Sequence, residues 1–211
     1  MLRHPLLVWE PARDPQFMQI SNGRFYLRGK PWYAHGVNYM PSSGIGTEDG
    51  EYFEYWMGSQ PYDPVIIERD LSRVEAMGFN CVSIFCYYRS LESRNLLDIL
   101  ERCRRHNLMV NLSLRPGTPL DFRWDEMKAL IQTYRLAQND TVFAYDLAWE
   151  PMFGNYAKRL RWDGEWEAWI LQQYGSLASA EADWGMPVPR ADGKVTGPSD
   201  EQLTKEGKHR V

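Results

Sequence analysis

The sequence predicts an α/β fold in which short strands and helices alternate to form a parallel sheet, preceded by a β-hairpin. Three observations favour this class. Between residues 33 and 148, apolar segments of strand length alternate with segments in which apolar residues recur at helical spacing. An Asn22-Gly23 pair separates two short strand-like segments near the N-terminus. The composition, 44% hydrophobic and 25% charged, is typical of a folded globular protein.

The first predicted element is the hairpin, which follows an N-terminal extension over residues 1–16. Segments 17–20 and 24–27 flank Asn22-Gly23, and both turn positions tolerate a positive φ. A second turn at residues 29–31 leads into the first strand of the parallel sheet, predicted over 33–39. A long loop rich in glycine and tyrosine is expected over 40–62.

Strand and helix then alternate three times. Asp63 is predicted as an N-cap with Pro64 at the first helical position, and Gly78 as the end of that helix. The remaining elements are strands over 80–86, 108–114 and 142–148, and helices over 91–106 and 123–137. Strands joined by helices of this length form right-handed βαβ units in a parallel sheet.

The region after residue 150 has a different pattern. A helix is predicted over 163–174, stopped by Gly175, and Ser176 is predicted to cap a second short helix that ends at Gly185. Residues 186–200 are rich in Pro, Gly and Asp and are expected to form a loop, with a charged helix starting near Ser199. No fifth strand is predicted.

Composition and spacing exclude several classes of partner and cofactor. The net charge of −4 argues against nucleic acid or an anionic membrane as the main partner. No apolar run reaches the roughly 18 residues of a membrane span, and the four-residue apolar stretch near the N-terminus is too short for a signal peptide. Three cysteines favour a reducing compartment, and the four histidines lack the spacing of metal ligands. We therefore expect a cytoplasmic protein without metal or cofactor.

The fourth strand ends at a candidate catalytic residue. Trp149-Glu150-Pro151 places a carboxylate directly after an apolar strand, with a proline that ends the strand. In parallel α/β folds this carboxyl edge of the sheet is where ligands bind. On position alone, a glutamate that caps or pairs with a loop is an equally good interpretation.

Four segments carry a resemblance to a known family. Residues 22–39 resemble the opening of the (β/α)8 glycoside hydrolases of clan A, which include the family 5 cellulases and mannanases. Residues 69–80 resemble the first helix of that fold and the entry to its second strand. Trp149-Glu150-Pro151 resembles the Asn-Glu-Pro signature, in which the Glu is the acid/base, and 166–185 is similar to part of the family 42 β-galactosidases.

The resemblance implies a retaining β-glycoside hydrolase that acts on an oligo- or polysaccharide, with Glu150 as general acid/base. It implies that residues 17–211 are the N-terminal portion, strands one to four, of a TIM barrel that typically needs about 250 residues. The clan's nucleophile follows strand seven, so we expect the chain to be inactive alone. The expected partner is then the missing half of the barrel or a second copy. The alternative is a non-catalytic carbohydrate-binding or scaffold protein.

Further candidates for the substrate site follow the predicted strands. His35 and Asn38 are placed at the end of strand one as floor groups of a pocket, with a core histidine as the other interpretation of His35. Arg115, after strand three, would hold a sugar hydroxyl or a carboxylate, or else anchor a loop. Trp149 stands where the family signature has Asn and is predicted to contact substrate.

Two more residues complete the predicted site. Trp56 belongs to an aromatic-rich loop and is predicted to stack on a sugar ring, although most of these aromatic residues would instead pack the loop onto the barrel. Asp146 and Glu150 are an even number of positions apart, so along a continuous strand both side chains would point to the same face of the sheet. Asp146 would orient the site or act as a buried structural acid, and the structural role is favoured.

Overall fold

The computed structural model describes residues 9–41, 56–59, 61–86, 93–114, 122–147 and 154–204. They form two units, the first made of the described residues up to 147 and the second of those from 154 onward. In this part of the chain, no helix is long and apolar enough to span a membrane.

A three-stranded antiparallel sheet opens the first unit. It contains β1 (Gln19–Ser21), β2 (Arg24–Leu27) and β3 (Lys30–Trp32), in that order. The predicted turn at Asn22-Gly23 is confirmed, with φ of 49° and 69°, and Arg28-Gly29 forms a second turn of the same kind with φ of 52° and 72°.

The first predicted strand of the parallel sheet, over 33–39, is wrong in its boundaries. Residues 30–32 pair with β2, and the parallel strand β4 is only Gly36–Asn38. Asn80 accounts for the break between them. Its side chain accepts a hydrogen bond from the His35 N–H at 2.8 Å and donates one to the Tyr33 carbonyl at 2.8 Å. With the backbone bound in this way, residues 33–35 pair with neither sheet.

The parallel sheet confirms the predicted order. Its strands run β4-β5-β6-β7 and every neighbouring pair is parallel. The other three strands are β5 (Cys81–Phe85), β6 (Met109–Ser113) and β7 (Val142–Asp146). The connecting helices are α1 (Pro64–Ala76), α2 (Ser93–Arg105) and α3 (Trp124–Thr133). The third helix ends earlier than predicted, and a short 3-10 turn, Leu136–Gln138, follows it.

Local capping explains where α1 begins and ends. The Asp63 carboxylate accepts hydrogen bonds from the N–H groups of Val65 at 2.9 Å and Ile66 at 3.1 Å, as predicted for an N-cap. Gly78 adopts a φ of 83° just beyond the last turn, a conformation that favours glycine.

The three helices cover one face of the parallel sheet, as the strand–helix alternation predicts. Alternate residues of β5 and β6, Val82 and Ile84 with Val110 and Leu112, share one buried cluster with all three helices. The helical members of that cluster are Ile67, Leu71, Val74, Leu96, Ile99, Leu100, Cys103, Met127 and Leu130. The first unit is therefore a mixed α/β structure with helices on one side, and closure into a barrel stays a prediction.

Aromatic contacts join the antiparallel sheet to the last parallel strand. Phe143 of β7 lies 5.0 Å from Trp32 and 6.0 Å from Phe25, measured between ring centroids. Phe143 occupies an irregularity in the β6–β7 pairing, where the register shifts between Val110 and Asn111. Through these rings, β2 and β3 contact β7, the strand farthest from β4 in the parallel sheet.

Close packing of β4 on β5 predicts a severe effect at Gly36. A Cβ atom there would lie 2.2 Å from the Cys81 carbonyl oxygen and 2.5 Å from its Sγ. We expect Gly36→Ala to lower the free energy of unfolding by at least about 1–3 kcal/mol, as in overpacked cores, when measured by urea denaturation. Gly164→Ala is the control, because nothing lies within 4 Å of its Cβ position and alanine favours the helix by roughly 0.5–1 kcal/mol. Equal effects at both positions would contradict the packing.

A charged cluster joins α1 to the residue that follows α2. His106 Nδ1 lies 2.7 Å from a carboxylate oxygen of Glu75, and His106 Nε2 lies 3.0 Å from one of Glu68. Arg102 forms ion pairs with Glu68 and with Asp98. Burial by itself lowers the pKa of His106, but the hydrogen bonds and charges of Glu75 and Glu68 outweigh it and raise that pKa.

We expect the His106 cluster to stabilise the fold most in weakly acidic solution. A histidine with a raised folded pKa adds stability below its unfolded pKa, about 6.5, and loses it as the pH rises through the folded value. Burial raises the pKa of Glu68, but its bonds to His106 and Arg102 lower it overall, and bonds to His106 and Asn107 lower that of Glu75. The glutamates therefore add stability above their unfolded pKa, about 4.3, and lose it as the pH falls through the folded values.

The test is the variant His106→Gln with the melting temperature measured against pH. The variant should melt below the parent at about pH 5.5 and close to it at about pH 8.5, where histidine is neutral. A loss of the same size at both pH values would show that the contact acts only by packing.

The second unit is helical with one small hairpin. Its helices are α4 (Tyr156–Arg159), α5 (Asp163–Tyr174), α6 (Leu177–Trp184) and α7 (Asp200–Thr204). The predictions for α5, for the Ser176 cap of α6 and for a helix start near Ser199 are confirmed. Residues 186–200 were predicted to be loop, but β8 (Arg190–Ala191) and β9 (Lys194–Val195) pair around an Asp192-Gly193 turn. Within the described chain no fifth strand joins the parallel sheet.

Candidate functional site

The face of the parallel sheet opposite the helices carries the polar residues of the strands, and we call it the polar face. Side chains alternate along a strand, so the residues between the core positions point to this side. One row across the sheet is Asn38, Ser83, Asn111 and Ala144, which are register partners. Nearer the carboxyl ends, the next row is Phe85, Ser113 and Asp146.

An open groove of about 620 Å³ lies on the polar face. Its lining includes Gly36, Asn38, Ser83, Asn111 and Ala144. The Asn111 amide donates a hydrogen bond to the Ser83 hydroxyl at 3.0 Å, which fixes the orientation of both groups. Amide and hydroxyl groups in a groove can donate to and accept from the hydroxyls of a bound molecule, but they supply no acid or base.

A carboxylate and a hydroxyl lie next to each other at the carboxyl end of the polar face. Ser113 and Asp146 are register partners on β6 and β7, and Ser113 is fully buried. Its hydroxyl has no hydrogen-bond partner among the described residues. Asp146 is the one acidic residue in the four described parallel strands, so any acid–base chemistry within them would involve it.

Three predicted site residues, Arg115, Trp149 and Glu150, lie outside the described residues. Their places in the sequence follow directly from the ends of the strands. Arg115 comes soon after β6 ends at Ser113, and Trp149 and Glu150 come soon after β7 ends at Asp146. Most of the predicted aromatic loop, residues 42–55 and 60, also lies outside them.

The prediction for His35 is wrong in its position. The strand β4 begins at Gly36, so His35 precedes the strand rather than ending it. Its ring lies 4.7 Å from that of Phe79, which follows α1 and precedes β5. His35 therefore lies at the amino end of the sheet, away from the carboxyl end where Asp146 lies. Asn38, in contrast, lies in the groove on the polar face.

The prediction that Trp56 stacks on a sugar is also corrected. Trp56 is 0% exposed and belongs to the core cluster between the sheet and the helices. Its ring lies nearly parallel to Tyr62 at 6.4 Å and meets Tyr39 edge-on at 5.8 Å. An indole packed in this way presents no free face to a ligand. Burial raises the pKa of the Tyr39 and Tyr62 hydroxyls, with Asp70 and Asp98 adding to the shift.

Two groove residues, Ser83 and Asn111, were not predicted as site residues. Each is a polar residue in the middle of an otherwise apolar strand. Their side chains point to the same face of the sheet as those of Asn38 and Asp146. The alternation of polar and apolar residues along these strands can be seen in the sequence alone, so it could have identified both residues. The thiol of Cys81, also in the groove, has its pKa raised by burial, so it stays protonated near neutral pH. The described residues contain no cluster suited to a metal ion.

Comparisons with known proteins give two partial likenesses. No protein-family model matches the sequence, and no curated protein matches it. The endo-1,4-beta-mannanase from Eisenia fetida matches 62% of this chain and 44% of its own, with 17% identity and a TM-score of 0.41. A GH5_18 variant from Streptomyces cattleya, solved in complex with Manβ1-4GlcNAc, matches 37% of this chain and 19% of its own, with 24% identity and a TM-score of 0.27. The chain thus spans less than half the length of either structure.

Proposed function

We propose that this chain supplies the acid/base half of a retaining β-glycosidase, with Glu150 as the general acid/base. The observation that supports it is the architecture around β7. This strand is the fourth in a parallel sheet of sequential order, has helices on one side, and ends at Asp146. Glu150 follows four residues later in the sequence, where parallel α/β folds bind ligands and barrel enzymes carry catalytic groups.

The chemistry assigns separate roles to the carboxylates. A retaining glycosidase needs two carboxyl groups about 5–5.5 Å apart, one to protonate the leaving oxygen and one to attack the anomeric carbon. Glu150 takes the first role, for which its pKa must be raised so that it is protonated before the reaction. Asp146 takes a structural or orienting role on the polar face, beside the buried Ser113 hydroxyl. The nucleophile would come from a later strand of a complete barrel.

The substrate class in this proposal is a β-linked oligo- or polysaccharide. Asn38 and Asn111 offer amide groups in the groove, and Arg115 and Trp149 are proposed to contact the sugar from the carboxyl ends of their strands. Neutral amide groups pair with hydroxyls without a requirement for charge on the ligand. No cofactor is proposed, because hydrolysis by two carboxyl groups requires none.

Hydrolysis and stereochemistry test this proposal. The assay compares the 211-residue chain with the longest polypeptide encoded in the same reading frame, using β-linked glucan and mannan oligosaccharides. We expect hydrolysis by the longer polypeptide alone, with the β-anomer as the first product seen by proton NMR. First appearance of the α-anomer would contradict the retaining mechanism. Hydrolysis by the 211-residue chain would contradict the proposal that the nucleophile lies outside these 211 residues.

A non-catalytic carbohydrate-binding protein is the second candidate. The observation that favours it is the composition of the polar face, on which the described strands carry one carboxylate, Asp146. This candidate predicts that oligosaccharides bind and that neither polypeptide hydrolyses them.

A further inference from the structure

Three tryptophans of the second unit form a stack, and we call Trp169, Trp166 and Trp184 the tryptophan stack. Trp166 lies nearly parallel to Trp169, at 5.2 Å between centroids and 10° between planes. It also lies nearly parallel to Trp184, at 5.8 Å and 14°. Trp169 and Trp166 are three residues apart on α5, and Trp184 ends α6, so the stack joins the two helices.

The inner part of the stack is fixed by the core of the second unit. Trp166 and Trp184 pack against Ile170, Ala180, Val188 and Val195. The Trp184 indole N–H donates a hydrogen bond to the Tyr174 hydroxyl at 2.9 Å. These contacts hold the rings in place before any ligand arrives, which reduces the entropy lost on binding.

The outer end of the stack is open to solvent. Trp169 is 40% exposed, although one of its faces lies against Trp166 and the Tyr174 ring approaches it at 70°. On α5 its neighbours one turn before and after are Glu165, Gln172 and Gln173, and all three are exposed. Trp169 is thus a flat ring supported on one face, and its exposed neighbours one helical turn away carry amide and carboxylate groups.

We propose that Trp169 is a saccharide-binding platform. The apolar face of a β-linked pyranose ring would stack on the exposed indole, and Gln172 and Gln173 would form hydrogen bonds with hydroxyls at the ring edge. Aromatic rings attract C–H groups through the negative charge of their faces, while the two amides can both donate and accept. The choice of a saccharide as ligand rests on the proposed function, whereas the platform itself is formed by residues of the second unit.

Binding is measured with cellohexaose and mannohexaose on the 211-residue chain, which we expect to bind these sugars without hydrolysing them because the proposed nucleophile comes from a later strand. We expect Trp169→Ala to weaken binding by roughly tenfold or more, the loss of one good stacking contact. Trp169→Phe should lose less, because it keeps a flat ring. Gln172→Ala combined with Gln173→Ala should also weaken binding. Calorimetry gives the affinity, and near-ultraviolet circular dichroism confirms that each variant keeps its packing.

Trp124→Ala is the matched control, since Trp124 is 55% exposed and belongs to the first unit. It should leave binding unchanged. The proposal is overturned if neither hexasaccharide binds, or if Trp169→Ala binds them as the parent does. It is also overturned if Trp169→Ala instead abolishes binding of a polyproline peptide, or dissociates a dimer in sedimentation. Failure of the proposed function would be seen in a different measurement, in which Glu150→Gln leaves hydrolysis by the longest polypeptide of the reading frame unchanged.

Discussion

Glu150→Gln is expected to reduce the rate of hydrolysis of natural β-glycosides by about 10²–10⁴-fold, the usual contribution of general acid–base catalysis to a rate. The amide cannot donate a proton to the leaving oxygen as a carboxylic acid does, and alkoxide leaving groups depart poorly without that proton. Activated aryl glycosides hardly need it. They should still form the glycosyl-enzyme and release a rapid burst of phenol, followed by slow turnover, because in the proposed mechanism the second step also needs Glu150 as base.

The measurement is stopped-flow release of nitrophenol beside steady-state hydrolysis of an oligosaccharide, with both carried out on the longest polypeptide of the reading frame. Glu126→Gln is the control, since this exposed glutamate on α3 pairs with Arg123. It should leave both rates unchanged. An equal loss on the two kinds of substrate would show that Glu150 is not the acid, and the interpretation of Trp149-Glu150-Pro151 would fail.

Trp56→Ala is expected to lower the free energy of unfolding by about 3–5 kcal/mol, as large aromatic truncations in cores do. Trp56 is fully buried, and its removal opens a cavity beside Tyr39 and Tyr62. Urea denaturation monitored by circular dichroism measures the loss. Trp124→Ala should cost less than about 1 kcal/mol, as at exposed positions. If Trp56→Ala instead kept its stability and lost oligosaccharide binding, the sugar-stacking prediction for Trp56 would be right and its burial wrong.

Much of the fold follows from local signals that the sequence contains. Asp63 caps α1 with its own carboxylate, and Asn22-Gly23 forms its turn through backbone conformation. Both depend on residues close in the chain, so spacing and residue type are sufficient to predict them. The order of the parallel strands follows in the same way, because each short strand–helix repeat brings the next strand beside the last.

The errors concern contacts between residues far apart in the sequence. The strand predicted over 33–39 is interrupted because the Asn80 side chain binds the backbone at Tyr33 and His35. No local pattern reveals that pairing. Trp56 lies in an irregular segment, where no periodicity distinguishes a core aromatic residue from a surface one. The groove residues Ser83 and Asn111 could have been found by strand parity, whereas the hydrogen bond between them required the register of β5 and β6.

The contact of Phe25 and Trp32 with Phe143 has a consequence for the order of folding. The strand–helix repeats form contacts over short distances in sequence, which favours early folding. The hairpin is synthesised before the strand–helix repeats, yet its aromatic partner belongs to β7, which is synthesised after all three of them. Chains fold during synthesis from the N-terminus, so these two rings stay without that partner until β7 emerges. Docking of the hairpin is therefore a late step, and it marks the completion of the four-stranded sheet.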